Sequence, residues 1–170
     1  GGEGTVDLDL SAVIEPLDDA GNHRQHRAVE RATAALESYD HTRALELTET
    51  CFWTFCDDYL ELVKDRAYDR DGAYADAEQA NRVRSARVAL NLTVDTFLRL
   101  LAPVLPYATE EVWSWYREGS VHRASWPTPE ALAAEGNPEL VGLAGSALAA
   151  LRKVKSEQKV SQRTAFAAVT

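Results

Sequence analysis

The 170-residue sequence contains no methionine, two cysteines and no apolar run long enough to cross a membrane. A transmembrane helix needs about 20 consecutive apolar residues, and no basic segment followed by an apolar stretch marks a secretory signal. Cys51 and Cys56 would face different sides of one helix, so we expect no disulfide between them. These absences favour a cytoplasmic protein without a membrane span.

The sequence also lacks the patterns that mark common catalytic and metal sites. No glycine-rich phosphate-binding loop is present, and the neighbouring Asp57 and Asp58 would point apart on a helix, which does not suit an acid–base pair. His23 and His26 could reach one metal ion, but no third ligand accompanies them. We therefore expect no catalytic residue, no metal and no cofactor in this chain. Because it begins with a Gly-Gly-Glu-Gly run instead of methionine, we interpret it as a piece of a longer protein.

What the sequence does contain is long amphipathic helices. Residues 40–68 include no glycine or proline, and apolar side chains recur three or four positions apart at Phe52, Cys56 and Tyr59. Asp40 can cap the start of this helix by accepting a backbone N–H. A second long helix is predicted over residues 74–102, after a turn signal at Asp-Gly. Two long helices joined by a short turn should pack as an antiparallel hairpin.

Three shorter helices complete the predicted fold. One is expected from about Asn22 to Ser38, another from Pro106 and ending by Gly119, and a third from Asn137, where Asn can cap and the following Pro suits the first turn. We predict a mainly α fold, an antiparallel bundle of about five helices with a short C-terminal β-strand appendage over residues 161–170. The expected divisions are a leader over 1–21, the helical bundle over 22–135 and a C-terminal helix plus strand over 136–170. The single core is expected to contain Phe52, Phe55, Tyr59, Leu90, Phe97 and Trp113.

The net charge is −9, but basic residues are concentrated in two segments. Residues 152–163 hold five basic side chains against one acidic, and residues 80–99 hold four arginines against one aspartate. A solvated helix face is one interpretation. A nucleic-acid contact surface is the other, because phosphates are met by local charge and not by the total. Composition leaves both interpretations open.

Two stretches resemble a known family. The run FWTFCDDYLELVKDRAY at 52–68 is similar to the anticodon-binding helical domain of class I aminoacyl-tRNA synthetases. LRLLAPVLPYATEEVWSW at 98–115 resembles the segment that ends one long helix of that domain and begins the next. The Phe-Cys-Asp-x-Tyr-Leu-Glu run at 55–61 favours the valine-specific enzymes of the class. The isoleucine-specific and other class I enzymes, and a helical protein-interaction module without RNA binding, stay as alternatives.

The resemblance implies the role and the contact residues. It implies part of a monomeric enzyme that joins valine to its tRNA with ATP and Mg²⁺, with the catalytic and editing domains of the same longer chain outside this sequence. Its partners would be valine tRNA and those domains. The residues expected to bind the anticodon are Lys64, Arg66, Tyr68, Arg70, Tyr74, Asn81, Arg82 and Arg84. The residues expected to contact the tRNA backbone are Arg87, Arg152, Lys153, Lys155, Lys159 and Arg163.

Overall fold

The computed structural model describes residues 8–69, 76–132, 135–161 and 164. Its α-helices are α1 (Pro16–Glu37), α2 (His41–Thr54), α3 (Leu60–Tyr68), α4 (Ala77–Leu101), α5 (Pro106–Ser114) and α6 (Glu139–Glu157). A π-helical turn (Phe55–Tyr59) joins α2 to α3, and short 3-10 segments lie at Leu10–Ala12, Val121–Arg123 and Pro129–Leu132. With α2, the π turn and α3 counted as one interrupted helix, the described residues confirm the predicted mainly α bundle of about five helices. None of the described helices is both long and apolar enough to cross a membrane.

The first helix begins at Pro16, so the start predicted near Asn22 is wrong. Pro16 occupies the first turn, where its missing N–H costs nothing, and Asp18 follows beside the positive end of the helix dipole. The expected loose leader is packed where the structure describes it. Ala12 and Ala20 are both buried in the bundle core.

The long central helix is interrupted by the π turn, which the apolar spacing did not predict. Its start is as expected, because Asp40 Oδ1 accepts the backbone N–H of Arg43 at 2.9 Å. A π turn holds an additional residue, and the last residue of this one, Tyr59, is buried. Cys51 and Cys56 are both free thiols, which confirms that they do not bridge each other.

The two long helices pack antiparallel, as predicted. Phe52, early in the first long helix, contacts Phe97, late in the second, with ring centroids 5.3 Å apart. Ala67, late in the first helix, accepts a hydrogen bond at 2.8 Å from Nε of Arg87, which comes earlier in the second. Phe97 is 4% exposed and also contacts Phe55, whereas Phe52 is only partly buried. Phe97 is therefore the better-enclosed ring of this aromatic group.

The single core expected from the sequence is wrong, because the described residues form three separate clusters. One is built around Val29 and Val88, a second around Tyr59 and Val63, and a third around Trp113. Each cluster combines side chains from several elements, and the second one takes residues from α1, the π turn, α3, α4 and α6. The matching apolar faces in the sequence predict that these helices pack together. They do not show whether the buried residues form one cluster or several.

The segments after α4 pack against the outside of the bundle. Helix α5 begins at Pro106 and ends at Ser114, before Gly119, as predicted. The following loop returns to the bundle, where Trp126 Nε1 donates to Thr33 Oγ1 at 2.9 Å.

Helix α6 crosses the π turn at close range. Asn137 Oδ1 accepts the N–H of Glu139 at 3.0 Å, as the predicted cap requires. A Cβ on Gly145 would lie 2.7 Å from Cγ of Asp58, so a glycine is needed for this approach. The predicted strand over residues 161–170 lies almost wholly outside the described residues and stays a prediction.

Candidate nucleic-acid interface

The end of the helical hairpin, residues 64–69 and 76–87, is organised around one buried carboxylate. Asp18 of α1 is completely buried. It accepts hydrogen bonds from Tyr59 Oη at 2.8 Å and Ser85 Oγ at 2.7 Å. Both terminal nitrogens of Arg66 also donate to it, at 2.7 and 2.8 Å. The network therefore joins α1, the π turn, α3 and α4 at the hairpin end.

Arg66 is largely buried and stabilises the hairpin end through its hydrogen bonds. Its side chain is 12% exposed, and besides the two bonds to Asp18 its Nη1 donates to Arg82 O at 2.8 Å. Burial opposes the charge of Arg66, but the hydrogen bonds and charge of Asp18 outweigh it, so the pKa of Arg66 is raised. An arginine held this way positions the hairpin end and has little surface left for a base.

Ser85 ties the segment before α1 to the same network. Its Oγ donates to Asp18 and accepts the backbone N–H groups of Ile14 and Glu15, each at 3.1 Å. The two N–H groups precede the first turn of α1 and would otherwise lack an acceptor. The chain before α1 is thereby attached to α4.

Arg82 and Arg84 form the outer part of the hairpin end and keep accessible guanidinium groups. Arg82 Nε donates to Glu15 Oε1 at 2.8 Å, and Arg84 Nη2 lies 3.2 Å from Asp9 Oδ2. Their side chains are 46% and 49% exposed, respectively. Because exposed ion pairs contribute little stability, these arginines can exchange their carboxylates for another anion at small cost.

The remaining hairpin-end residues differ in their surroundings. Tyr68 is 63% exposed and Asn81 is exposed, so both present groups to solvent. Lys64 Nζ lies 2.7 Å from Glu61 Oε1. The hydrogen bond that Lys64 donates is the largest cause of the lowered pKa of Glu61. Arg70 and Tyr74, also predicted to bind the anticodon, lie outside the described residues.

Of the residues predicted to contact the tRNA backbone, those that the structure describes lie on α4, on α6 and just after α6. Arg87 lies on α4 and is exposed, and Arg152 of α6 is paired with Glu61. Glu61 thus brings Lys64 of one predicted set next to Arg152 of the other. Lys153 is exposed and lies 4.0 Å from its helix neighbour Glu157.

Lys155 lies in the last turn of α6, and Lys159 follows the end of that helix. Lys155 is partly buried, and Lys159 is exposed with a left-handed backbone, φ 53°. The N–H of Val160 donates to Lys155 O at 3.1 Å, which is the bond that closes a helix end of this kind. Arg163 lies outside the described residues.

The acidic partners of Arg66, Arg82 and Arg84 were not predicted from the sequence. Asp9, Glu15 and Asp18 all lie in the segment interpreted as a leader. The signal that could have found Asp18 is the start of α1, where Pro16 and an acidic first turn precede the helix. Within the described ranges, no three His, Cys, Asp or Glu side chains gather as a metal site.

The hairpin end therefore combines a buried hydrogen-bond network around Asp18 with accessible hydrogen-bond donors at the surface. Arginine planes and tyrosine rings can stack on unpaired bases, and arginine forks can bind phosphates in pairs of hydrogen bonds. The described residues therefore define an all-helical bundle domain with cationic and aromatic side chains at the end of its hairpin.

Residues 18–170 match the family model described as the anticodon-binding domain of tRNA ligase. The chain belongs to this family. Its relatives include the valine–tRNA ligase of Bifidobacterium longum (strain NCC 2705), 54% identical over 162 residues that cover 92% of this chain and 18% of the relative. The valine–tRNA ligases of Thermobifida fusca and Salinispora tropica are 49% and 46% identical, covering 99% and 95% of this chain and 18% and 20% of theirs. The chain thus spans about a fifth of the length of these curated relatives.

Proposed function

We propose that this chain recognises the anticodon arm of tRNA as part of a valine–tRNA ligase, the enzyme that attaches valine to its tRNA. The observation that carries the proposal is the match of residues 18–170 to the anticodon-binding family, together with relatives named valine–tRNA ligase. The accessible arginines at the hairpin end supply the groups that such recognition needs.

In the proposed mode, the hairpin end contacts the unpaired anticodon bases. Arg82, Arg84, Tyr68 and Asn81 are the described side chains available to stack on bases or bond their edges. Arg66 acts as a positioning residue through Asp18. The cations of α6 would contact phosphates, which hold the RNA in register without reading its sequence.

The remaining parts of the proposal concern the whole enzyme. ATP and Mg²⁺ would be used in its catalytic part, editing would occur in another domain, and the enzyme would act as a cytoplasmic monomer. We assign no cofactor to the present chain. Valine specificity is favoured over isoleucine by the names of the relatives.

A helical protein-interaction module is the competing function. The net charge of −9 and the pairing of Arg66, Arg82 and Arg84 with carboxylates favour it. Filter binding of tRNA to the purified protein in its full native length separates the two functions. The proposed function requires saturable binding that prefers a valine anticodon and weakens as salt rises. Equal or absent binding of valine tRNA and a tRNA with a changed anticodon would overturn it.

A further inference from the structure

A basic cleft lies between α1 and α2, and none of its lining residues was predicted to contact tRNA. It has a volume of about 560 Å³, and Pro138 and Glu139 at the start of α6 also line it. Four arginines line it, Arg24, Arg27 and Arg31 from α1 and Arg43 from α2. Glu46 and Glu139 are the acidic residues in its lining. The cleft therefore has a net positive charge on a protein whose total charge is −9.

Two of these arginines are already engaged, and two are not. Arg24 Nη1 donates to Pro138 O at 3.3 Å, and Arg43 pairs with Glu46 at 3.3 Å. Arg27 and Arg31 are exposed, and neither has a hydrogen-bond or ion-pair partner among the residues that the structure describes. Both lie on α1, four positions and so about 6 Å apart along the helix axis.

A solvated helix face would explain exposed arginines on α1 alone, but here Arg43 of α2 lines the same concave surface as the three arginines of α1. Arginine binds phosphate by a planar fork of two N–H donors, and is preferred for that reason over lysine where phosphate is recognised. An acidic protein segment would be met equally well by flexible lysines. The cleft lining contains no lysine.

The cleft is also placed where a bound RNA arm could reach it. Asp18, at the level of the hairpin end, precedes Arg27 and Arg31 on the same helix by about 14 and 20 Å along the axis. An RNA whose loop contacts the hairpin end could therefore extend paired nucleotides over α1. The chain would then hold the arm at two levels of one rigid helix.

We propose that the cleft between α1 and α2 binds the phosphate backbone of the tRNA, with Arg27 and Arg31 as its direct contacts. This inference rests on the proposed function, since it takes tRNA as the partner, but it names a surface that the sequence analysis did not include. Contacts of this kind carry no sequence information. They add affinity that falls as salt rises, because each neutralised phosphate releases counterions.

The test compares Arg27→Gln, Arg31→Gln and the double variant with wild type, using the protein in its full native length. Glutamine removes the charge while keeping a similar helix propensity. Arg123→Gln is the matched control, since Arg123 is also exposed but lies on the Val121–Arg123 segment outside the cleft. Affinity is measured by filter binding between 50 and 200 mM KCl, for valine tRNA and for the same tRNA with a changed anticodon.

The double variant should bind both tRNAs more weakly by the same factor. Its plot of log affinity against log salt should be shallower by about 1.4 to 1.8, the value for two phosphate contacts. Over a fourfold rise in salt, wild type should therefore lose about seven to twelve times more affinity than the double variant. Arg123→Gln should match wild type in slope and affinity.

Three results would overturn the inference, and they identify what failed. If the double variant equals Arg123→Gln while Arg82→Gln alters anticodon preference, the proposed function stands and the cleft belongs to another partner, such as an acidic protein. If the double variant changes anticodon preference, its arginines read bases instead of the backbone. If wild type binds neither tRNA at the lowest salt, the proposed function and this inference fail together.

Discussion

Replacing Asp18 with asparagine should be among the most destabilising single changes in this protein. Asparagine has nearly the same shape, but it removes the charge that both terminal nitrogens of Arg66 bind at 2.7 and 2.8 Å. The arginine, 12% exposed, would be left with its charge uncompensated. Removal of one partner from a buried ion pair costs about 3–5 kcal/mol. That is a large share of a typical folding stability of about 5–15 kcal/mol.

Two neighbouring changes test whether the network behaves as described. Tyr59→Phe removes one of the hydrogen bonds that Asp18 accepts and should cost about 1 kcal/mol. Ser85→Ala removes another and also leaves two backbone N–H groups without their acceptor, so it should cost about 1–3 kcal/mol. The expected order of destabilisation is therefore Asp18→Asn, then Ser85→Ala, then Tyr59→Phe.

Urea unfolding followed by circular dichroism measures these losses through the midpoint at constant m-value. Asp57→Asn is the matched control, because Asp57 is exposed and has no ion pair among the described residues. It should change stability by less than about 0.5 kcal/mol. The reasoning is refuted if Asp18→Asn costs no more than Asp57→Asn.

Three further predictions concern packing and pH. Gly145→Ala should destabilise the protein, because the added Cβ would lie 2.7 Å from Asp58 Cγ. Gly142→Ala on the same helix should be neutral or stabilising by about 0.5–1 kcal/mol, because its Cβ would lie 3.9 Å from the nearest atom, Arg24 Nη1. Equal urea midpoints for the two variants would contradict this. Phe97→Ala should cost about 3–5 kcal/mol, and Phe52→Ala should cost less because that ring is only partly buried. A larger loss at Phe52 than at Phe97 would contradict this. Burial raises the pKa of Cys51 to about 11 from its ordinary value of 9.0, so the folded state keeps a proton that the unfolded chain releases. Stability from this group is therefore present below about pH 9 and lost as pH rises to about 11, and Cys51→Ala should flatten that part of the stability profile.

The helical bundle could be predicted from the sequence because its signals are local. Apolar residues three or four apart, the cap at Asp40 and the proline at 106 each depend on a few neighbouring residues. The hairpin followed from two long helices with matched apolar faces. The π turn did not, because apolar spacing shows that a helix exists but not how many residues one of its turns contains.

The site was predicted less completely, because its charges are paired over long distances in sequence. Arg66 looks like any other cation in the sequence, yet its partner Asp18 lies on a different helix, and only folding shows that the pair is buried. The basic cleft was not predicted for the same reason, because its arginines come together only on folding. Arg27 and Arg31 appear as scattered residues of one helix until α2 brings Arg43 opposite them.

The central claim is that the hairpin end reads anticodon bases, and the most direct test is anticodon discrimination in valine attachment. The double variant Arg82→Gln/Arg84→Gln, in the protein at its full native length, is compared with wild type on valine tRNA and on the same tRNA with a changed anticodon. The ratio of the two kcat/KM values should fall by the equivalent of about 1–3 kcal/mol, because a good base contact is worth that much discrimination. An unchanged ratio, whether activity on the two tRNAs is preserved or weakened equally, would contradict the claim.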